Sequence, residues 1–80
     1  MSTFNTVDNK TLIDTLHDLI QRRMQAYPSV RTIARQELSI VAFDRLGVHS
    51  TQLTRAIMDA LAQAVGGTYT VKHGDSRIKW

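Results

Sequence analysis

The chain has 80 residues, of which 42% are apolar and none is cysteine, and it carries ten Lys and Arg against seven Asp and Glu. This length allows one small domain with one core, and the absence of cysteine excludes disulfides and zinc–thiolate sites. The net charge of +3 favours an anionic partner. Because a core of this size is only marginally stable, we also expect a homodimer.

No segment indicates a membrane-embedded or exported protein. The apolar runs are shorter than the roughly 20 residues that a membrane-spanning helix requires. The amino end, MSTFNTVDNK, has neither the basic start nor the apolar stretch of a signal peptide. We therefore expect a cytoplasmic protein without a membrane partner.

The first predicted element is a helix over residues 9–26. Apolar side chains such as Leu12, Leu16 and Ile20 recur there at three- and four-residue spacing, which is typical of an amphipathic helix. Asp8 is a suitable N-cap for this helix. Pro28 ends the segment, because a proline disfavours helical geometry at the residue before it.

A second helix is predicted over residues 29–46, with Ser29 as its N-cap and Gly47 as its C-terminal stop. Ile40 and Phe43 lie beside its core-facing stripe and widen the apolar surface. These two side chains either pack against a second subunit or complete a wide core within one chain. The sequence leaves both alternatives open.

A third helix is predicted over residues 50–65. Ser50 is its expected N-cap, and the helix ends at Gly66 and Gly67, because glycine readily adopts the left-handed geometry of a helix exit.

The period changes in the tail, where a β element is predicted over residues 68–80. Residues 68–72 and 77–80 alternate between two faces, and the residues between them have turn chemistry. Tyr69 and Val71 share one face of the first of these stretches, and Ile78 and Trp80 are expected to point inward. The predicted fold is therefore mainly α, with three helices followed by a strand paired across a dimer or by a hairpin.

The cations form two groups along the chain. The first group surrounds the turn between the first two predicted helices, away from Asp18 and the other acids of the first helix, and consists of Arg22, Arg23, Arg31 and Arg35. The second group lies in the tail, where alternation places Arg77 and Lys79 on one face beside Lys72 and His73, opposed only by Asp75. Such a basic ribbon suits phosphate contacts, although it would equally keep an edge strand unpaired.

The segment Leu38 to Asp59 is compatible with a helix-turn-helix in which Gln52 and Arg55 face base edges. Phe43 argues against that interpretation, because the close approach of two helices near the turn favours a small side chain. Together with a terminal hairpin, the order of elements also permits a winged helix.

No catalytic, metal or cofactor site is predicted. The three histidines, at positions 17, 49 and 73, lie in different elements. His17 and Asp18 are sequence neighbours on a helix, so they point about 100° apart and do not converge. The Gly66-Gly67-Thr68 stretch follows a helix and precedes a strand, which is the reverse of a phosphate loop. We therefore expect no enzyme activity and no small-molecule substrate.

Two short stretches carry a resemblance to a known family. Arg45-Leu46-Gly47-Val48, followed after a helix by VGGTYTVKHG at residues 65–74, is similar to part of the middle-operon regulator (Mor) family of phage Mu-like transcription activators. The likeness covers residues 38–74 and the family's amino-terminal domain. It implies a helical dimerisation domain whose short strand pairs with that of its dimer mate. The packing residues that it implies are Ile40, Phe43, Ile57 and Leu61.

The functional expectation is a small phage or mobile-element regulator of transcription that binds duplex DNA as a homodimer in the cytoplasm of a bacterial host. The expected binding residues are Arg22, Arg23, Arg31, Arg35, Gln52, Arg55, Lys72, Arg77 and Lys79. The expected dimer interface consists of Ile40, Phe43, Tyr69 and Val71. The alternative is a phage-encoded, anti-CRISPR-like inhibitor that binds an acidic or nucleic-acid-bearing host complex through the same arginines. Salt-dependent affinity for naked duplex separates the two hypotheses.

Overall fold

The computed structural model describes residues 7–80. Residues 1–6, which belong to the stretch where no signal peptide is predicted, lie outside the described residues. The elements in chain order are helix α1 (Asn9–Ala26), strand β1 (Thr32–Ala34), helix α2 (Arg35–Leu46), a 3₁₀ turn (Ser50–Gln52), helix α3 (Arg55–Ala64), strand β2 (Thr68–Lys72) and strand β3 (Asp75–Lys79). The predicted fold class is confirmed, since the protein is mainly helical and ends in a β-hairpin.

Helix α1 has the predicted bounds because all of its signals are local. The Asp8 side chain accepts a hydrogen bond from the Thr11 N–H at 2.8 Å, which caps the first turn. At the other end, the Tyr27 N–H donates to the Arg23 carbonyl and the helix stops before Pro28.

The second helix begins later than predicted, at Arg35, and Ser29 does not cap it. The intervening residues form β1, in which Ile33 lies opposite Ile78 of β3 and is buried. Pairing with a strand far along the chain therefore overrides a helical spacing that is locally acceptable. The predicted stop is confirmed, since Gly47 has a left-handed φ of 68°.

The third helix also begins later than predicted, because Ser50 starts the 3₁₀ turn and Thr54 is the N-cap of α3. The Thr54 hydroxyl accepts from the Ile57 N–H at 3.3 Å. Between the two elements Leu53 is only 2% exposed, so the chain bends where this side chain enters the core. After α3, Gly66 has the positive φ expected of a helix exit.

The three strands form an antiparallel sheet in the order β1-β3-β2. β2 and β3 are joined by a tight turn at His73 and Gly74, both of which have positive φ. Across the sheet, Ile33 and Tyr69 flank Ile78, which is fully buried, and Trp80 packs partly buried against the core as predicted.

The core lies between the three helices and the inner face of this sheet. Ile57 and Leu61 of α3 belong to it, as does Val48 of the turn that precedes α3. Within residues 7–80, no helix is long and apolar enough to cross a membrane.

The order of elements and the order of strands remain compatible with the winged helix that the sequence permits. We call the β2–β3 hairpin, residues 68–79, the wing. The size of Phe43 is no obstacle to this arrangement, because its side chain is 56% exposed instead of lying between the helices.

Candidate nucleic-acid interface

The sheet turns one face to the core and exposes the other. Because side chains alternate along a strand, the residues next to the inward-facing Ile33, Ile78 and Tyr69 point outward. We call this the outer sheet face. It consists of Thr32, Ala34, Thr68, Thr70, Lys72, Asp75, Arg77 and Lys79.

Three cations and one carboxylate give the outer sheet face a net positive charge. The Arg77 Nε lies 3.0 Å from both carboxylate oxygens of Asp75, and an Arg77 terminal nitrogen donates to the Thr32 hydroxyl at 3.4 Å. These contacts fix the Arg77 guanidinium over the sheet. Lys72 and Lys79 are exposed and form no ion pair with any of residues 7–80. Their ammonium groups are thus available to an external anion.

Helix α3 exposes a face with few charges. Arg55 lies at its start, and its Nε is 3.9 Å from a carboxylate oxygen of Asp59, so the two side chains are only loosely paired. The other exposed residues of the helix are Ala56, Ala60, Gln63 and Ala64. This face admits close approach of a ligand, because alanine side chains are short.

The prediction that Gln52 faces base edges is wrong. The Gln52 side-chain amide donates to the Val7 carbonyl at 2.6 Å and is partly buried. It therefore ties the segment before α1 to the 3₁₀ turn, a contact between residues far apart in the sequence.

The prediction that the first arginine group lies away from acids is also wrong. Arg22 forms an ion pair with Asp18, one helical turn earlier, at 2.9 Å. Arg23 forms a short ion pair with Glu37, because the packing of α2 against α1 brings these two side chains together.

The remaining two arginines of that group donate hydrogen bonds to main-chain oxygens. The Arg31 Nε donates to the Trp80 oxygen at 2.9 Å, and the Trp80 N–H donates back to the Arg31 carbonyl, so the β1–β3 pairing extends by one residue. Arg35 donates from Nη2 to the carbonyls of Ser50 and Leu53 at 2.8 and 2.9 Å. The first arginine group is therefore largely engaged within the chain, although Arg22 and Arg31 remain exposed.

The predicted dimer residues lie in two places. On α2, Ile40 and Phe43 are 60% and 56% exposed, beside an open cavity of about 680 Å³. On β2, Tyr69 packs against the core of its own chain, whereas Val71 is 53% exposed on a strand at the edge of the sheet.

The sequence missed the threonines of the outer sheet face as candidate ligands. The alternation that predicts an outward Lys72 also places Thr68 and Thr70 on the same face. Their hydroxyls can donate hydrogen bonds to phosphate. Thr32 had no such signal, because β1 was itself predicted as helix. Among residues 7–80, no cluster of histidine and carboxylate side chains could hold a metal ion.

No family model, no curated protein and no solved structure matches the chain. The likeness of the RLGV and VGGTYTVKHG stretches to the phage activator family therefore stays a prediction.

Proposed function

We propose that the protein binds duplex DNA, with α3 in the major groove and the wing against the neighbouring phosphates. The observation that carries this proposal is a pair of helices, α2 and α3, separated by a short 3₁₀ turn and followed by a hairpin whose outer face holds three cations. In helix-turn-helix proteins the second helix reads the major groove, and contacts to phosphate supply most of the sequence-independent affinity.

The lysines of the wing are the principal phosphate ligands in this proposal. Lys72 and Lys79 lie at opposite ends of the outer sheet face, in register with Asp75 and Thr68 respectively. Arg77 lies between them, and its orientation is already fixed by Asp75. A phosphate backbone laid across this face would thus meet two free ammonium groups and one oriented guanidinium.

In this proposal the exposed face of α3 contacts the bases. Arg55 is at the start of the helix, where a guanidinium can bind both O6 and N7 of a guanine. Gln63 can pair with adenine in the same manner. Arg23 and Arg35 take no direct part, because both are bound within the chain.

Regulation of transcription is the role that we infer for this DNA binding. This inference draws support from the resemblance of residues 38–74 to phage Mu-like activators. On the same resemblance we propose a phage or mobile element of a bacterial host as the source of the protein.

The test is equilibrium binding to mixed-sequence duplex DNA over a salt series. The Lys72→Ala/Lys79→Ala variant should bind more weakly and should reduce the slope of log affinity against log salt by up to about two. A variant with Lys10 and Arg45 both changed to Ala is the control, since it removes two exposed charges from α1 and α2 and none from the wing, α3 or the expected binding residues.

Two results would contradict the proposal. One is an equal loss of slope in the Lys10→Ala/Arg45→Ala control, which would show that the effect depends only on net charge. The other is no duplex binding by the wild type at low salt, which would favour the alternative of a protein partner.

A further inference from the structure

Strand β2 lies at one edge of the sheet, with β3 as its only partner strand among residues 7–80. A strand at an edge leaves every second residue with a main-chain N–H and C=O that no neighbouring strand satisfies. Val71, near the end of β2, is 53% exposed. This edge is therefore open to the addition of one more strand.

The register shows which residues of β2 turn their main-chain groups toward the open edge. The Trp80 N–H donates to the Arg31 carbonyl at 3.0 Å, so Trp80 directs this group toward the β1 side of the sheet. Main-chain groups alternate in direction along a strand, so Lys79 directs its own toward β2, where it lies opposite Thr68. Thr68 and Lys79 are therefore a hydrogen-bonded pair of the hairpin.

The same alternation along β2 turns the main-chain groups of Tyr69 and Val71 away from β3. These two residues together present two N–H donors and two carbonyl acceptors, and they lie about 7 Å apart along the strand. We call these main-chain groups the β2 edge. The Tyr69 side chain packs against the core, whereas Val71 on the same face is largely exposed.

The outer sheet face reaches this edge and gives it a positive charge. Lys72 belongs to β2 itself, is exposed and forms no ion pair with any of residues 7–80. Arg77 and Lys79 lie on the next strand, opposite Thr70 and Thr68. Because threonine side chains are short, a long acidic side chain that enters from the edge can extend over them toward these two cations.

We propose that the β2 edge binds an extended acidic segment of another protein as a fourth strand of the sheet. Its main chain would pair with Tyr69 and Val71, which is the mode of binding that edge strands offer to peptides. Side chains opposite each other on one face of a sheet are about 5 Å apart, so an acid opposite Lys72 would form an ion pair.

The two faces of the sheet define the sequence of this segment. Its outward side chains meet the cations of the outer sheet face and are acidic, whereas the side chain beside Val71 is apolar. The segment therefore alternates acidic and apolar residues. Strand addition at this edge requires neither α3 nor a nucleic acid, so this proposal and the proposal of DNA binding can fail independently.

A second copy of the chain is a less suitable occupant of the β2 edge. Pairing of two β2 strands would join two outer sheet faces, each with three cations and one carboxylate, into one continuous face. Lysine on an edge strand opposes self-pairing of this kind. An acidic segment instead neutralises the charge that opposes it.

The test is binding of a fluorescent, end-capped peptide of about seven alternating Glu and Val residues, measured by anisotropy at low salt; this length spans the five residues of β2. Val71→Pro removes an N–H that faces the open edge, and proline is tolerated at such a position of an edge strand. The dissociation constant should rise by about tenfold or more. Val71→Ala, which keeps the N–H, is the matched control and should change it by less than about threefold.

A pair of charge variants tests the contribution of the outer sheet face. Lys72→Glu should weaken binding of the acidic peptide by about tenfold, because it sets acid against acid. Lys10→Glu makes the same change of charge on α1 and should leave binding nearly unchanged. A peptide of alternating Lys and Val should not bind the wild type.

Amide hydrogen exchange of the wild type locates the peptide even where Val71→Pro fails to fold. In the free protein the amides of Tyr69 and Val71 should exchange faster than that of Thr70, which pairs with β3. The acidic peptide should slow the first two by about tenfold or more and leave Thr70 unchanged.

Three results would each overturn the proposal. The first is a wild type that does not bind the acidic peptide at low salt. The second is a folded Val71→Pro variant that binds it as tightly as Val71→Ala, since the cations alone would then explain binding. The third is slow exchange of Tyr69 and Val71 that increases with protein concentration in the absence of peptide, which would assign the β2 edge to a second copy.

Discussion

Two adjacent glycines follow α3 for different physical reasons. Gly66 has a φ of 77°, but a Cβ placed there would meet no atom within 4 Å. Gly67 does not have a positive φ, but a Cβ placed there would lie 2.1 Å from the Lys79 carbonyl oxygen. Gly66 thus supplies a backbone conformation, whereas Gly67 supplies the space in which the helix exit approaches β3.

Gly67→Ala should therefore be the more damaging substitution. We expect it to lower the free energy of unfolding by about 3 kcal/mol or more, because the clash is with main-chain atoms that cannot rotate away. Gly66→Ala should cost about 1 kcal/mol, the penalty for a left-handed alanine. Urea denaturation measures both, and equal losses would contradict the distinction.

Asp8 makes the stability of α1 depend on pH. Hydrogen bonding from the Thr11 side chain, and then from its main-chain N–H, lowers the pKa of Asp8 below its ordinary value of 3.8. Since the folded pKa is the lower one, the contribution is complete above the unfolded pKa and is lost as the pH falls through the folded pKa.

Asp8→Asn isolates this effect, because asparagine also caps helices but carries no charge. The wild type should have the higher melting temperature at neutral pH. The difference should shrink below about pH 4 and disappear in stronger acid. A difference that stays constant over the acid range would show that the carboxylate charge is not its cause.

Arg35 links the start of α2 to the turn that precedes α3. Arg35 is the first residue of α2. Its guanidinium donates hydrogen bonds to the carbonyls of Ser50 and Leu53, which lie in the turn before α3. Without Arg35, these two carbonyls would lose a hydrogen-bond donor in a partly buried turn. The Arg35 side chain therefore helps to position α3, the proposed recognition helix, although Arg35 itself contacts only the protein.

Arg35→Ala should lower the free energy of unfolding by about 2 kcal/mol, because it removes hydrogen bonds from a charged donor. Arg35→Lys should recover little of this loss, since an ammonium cannot span two carbonyls as a planar guanidinium does. Arg22→Ala, which removes an exposed ion pair on α1, should cost less than about 0.5 kcal/mol. Urea denaturation of the three variants would refute this role if Arg35→Ala behaved like Arg22→Ala.

The elements differ in how far the sequence could predict them. α1 was predictable to its bounds, because Asp8, Pro28 and the apolar stripe act within one or two turns. β1 was not predictable, because three residues are too few to show alternation and its partner strand, β3, lies far along the chain. The start of α3 was missed for a related reason, since Ser50 and Thr54 are both acceptable caps and only the burial of Leu53 decides between them.

The candidate site also has a part that local sequence patterns predict and a part that they do not. The outward placement of Lys72, Arg77 and Lys79 followed from alternation alone. The ion pair of Arg23 with Glu37 and the hydrogen bonds of Arg35 depend on how helices pack, which no local pattern reveals.

The whole fold depends on the central strand of the sheet. Ile78 is fully buried, and it lies between Ile33 and Tyr69, which belong to strands that do not pair with each other. Removing this side chain opens the junction of the sheet with the helices.

Ile78→Ala should lower the free energy of unfolding by about 2–5 kcal/mol, a large part of the total for a domain of this size. Val71→Ala, on the exposed part of β2, should change it by less than about 0.5 kcal/mol. The midpoints of chemical denaturation give both values. An Ile78→Ala protein as stable as Val71→Ala would contradict the central place of β3.

The strand order has a consequence for the protein while it is being synthesised. β1 and β2 pair only with β3, so the ribosome makes all three helices and both outer strands before the segment that joins them exists. Until Asp75–Lys79 has emerged, a nascent chain can assemble helices but not a sheet. Both the wing and its row of cations therefore arise in the same step, and the newborn polypeptide acquires its basic face only after all three helices have been synthesised.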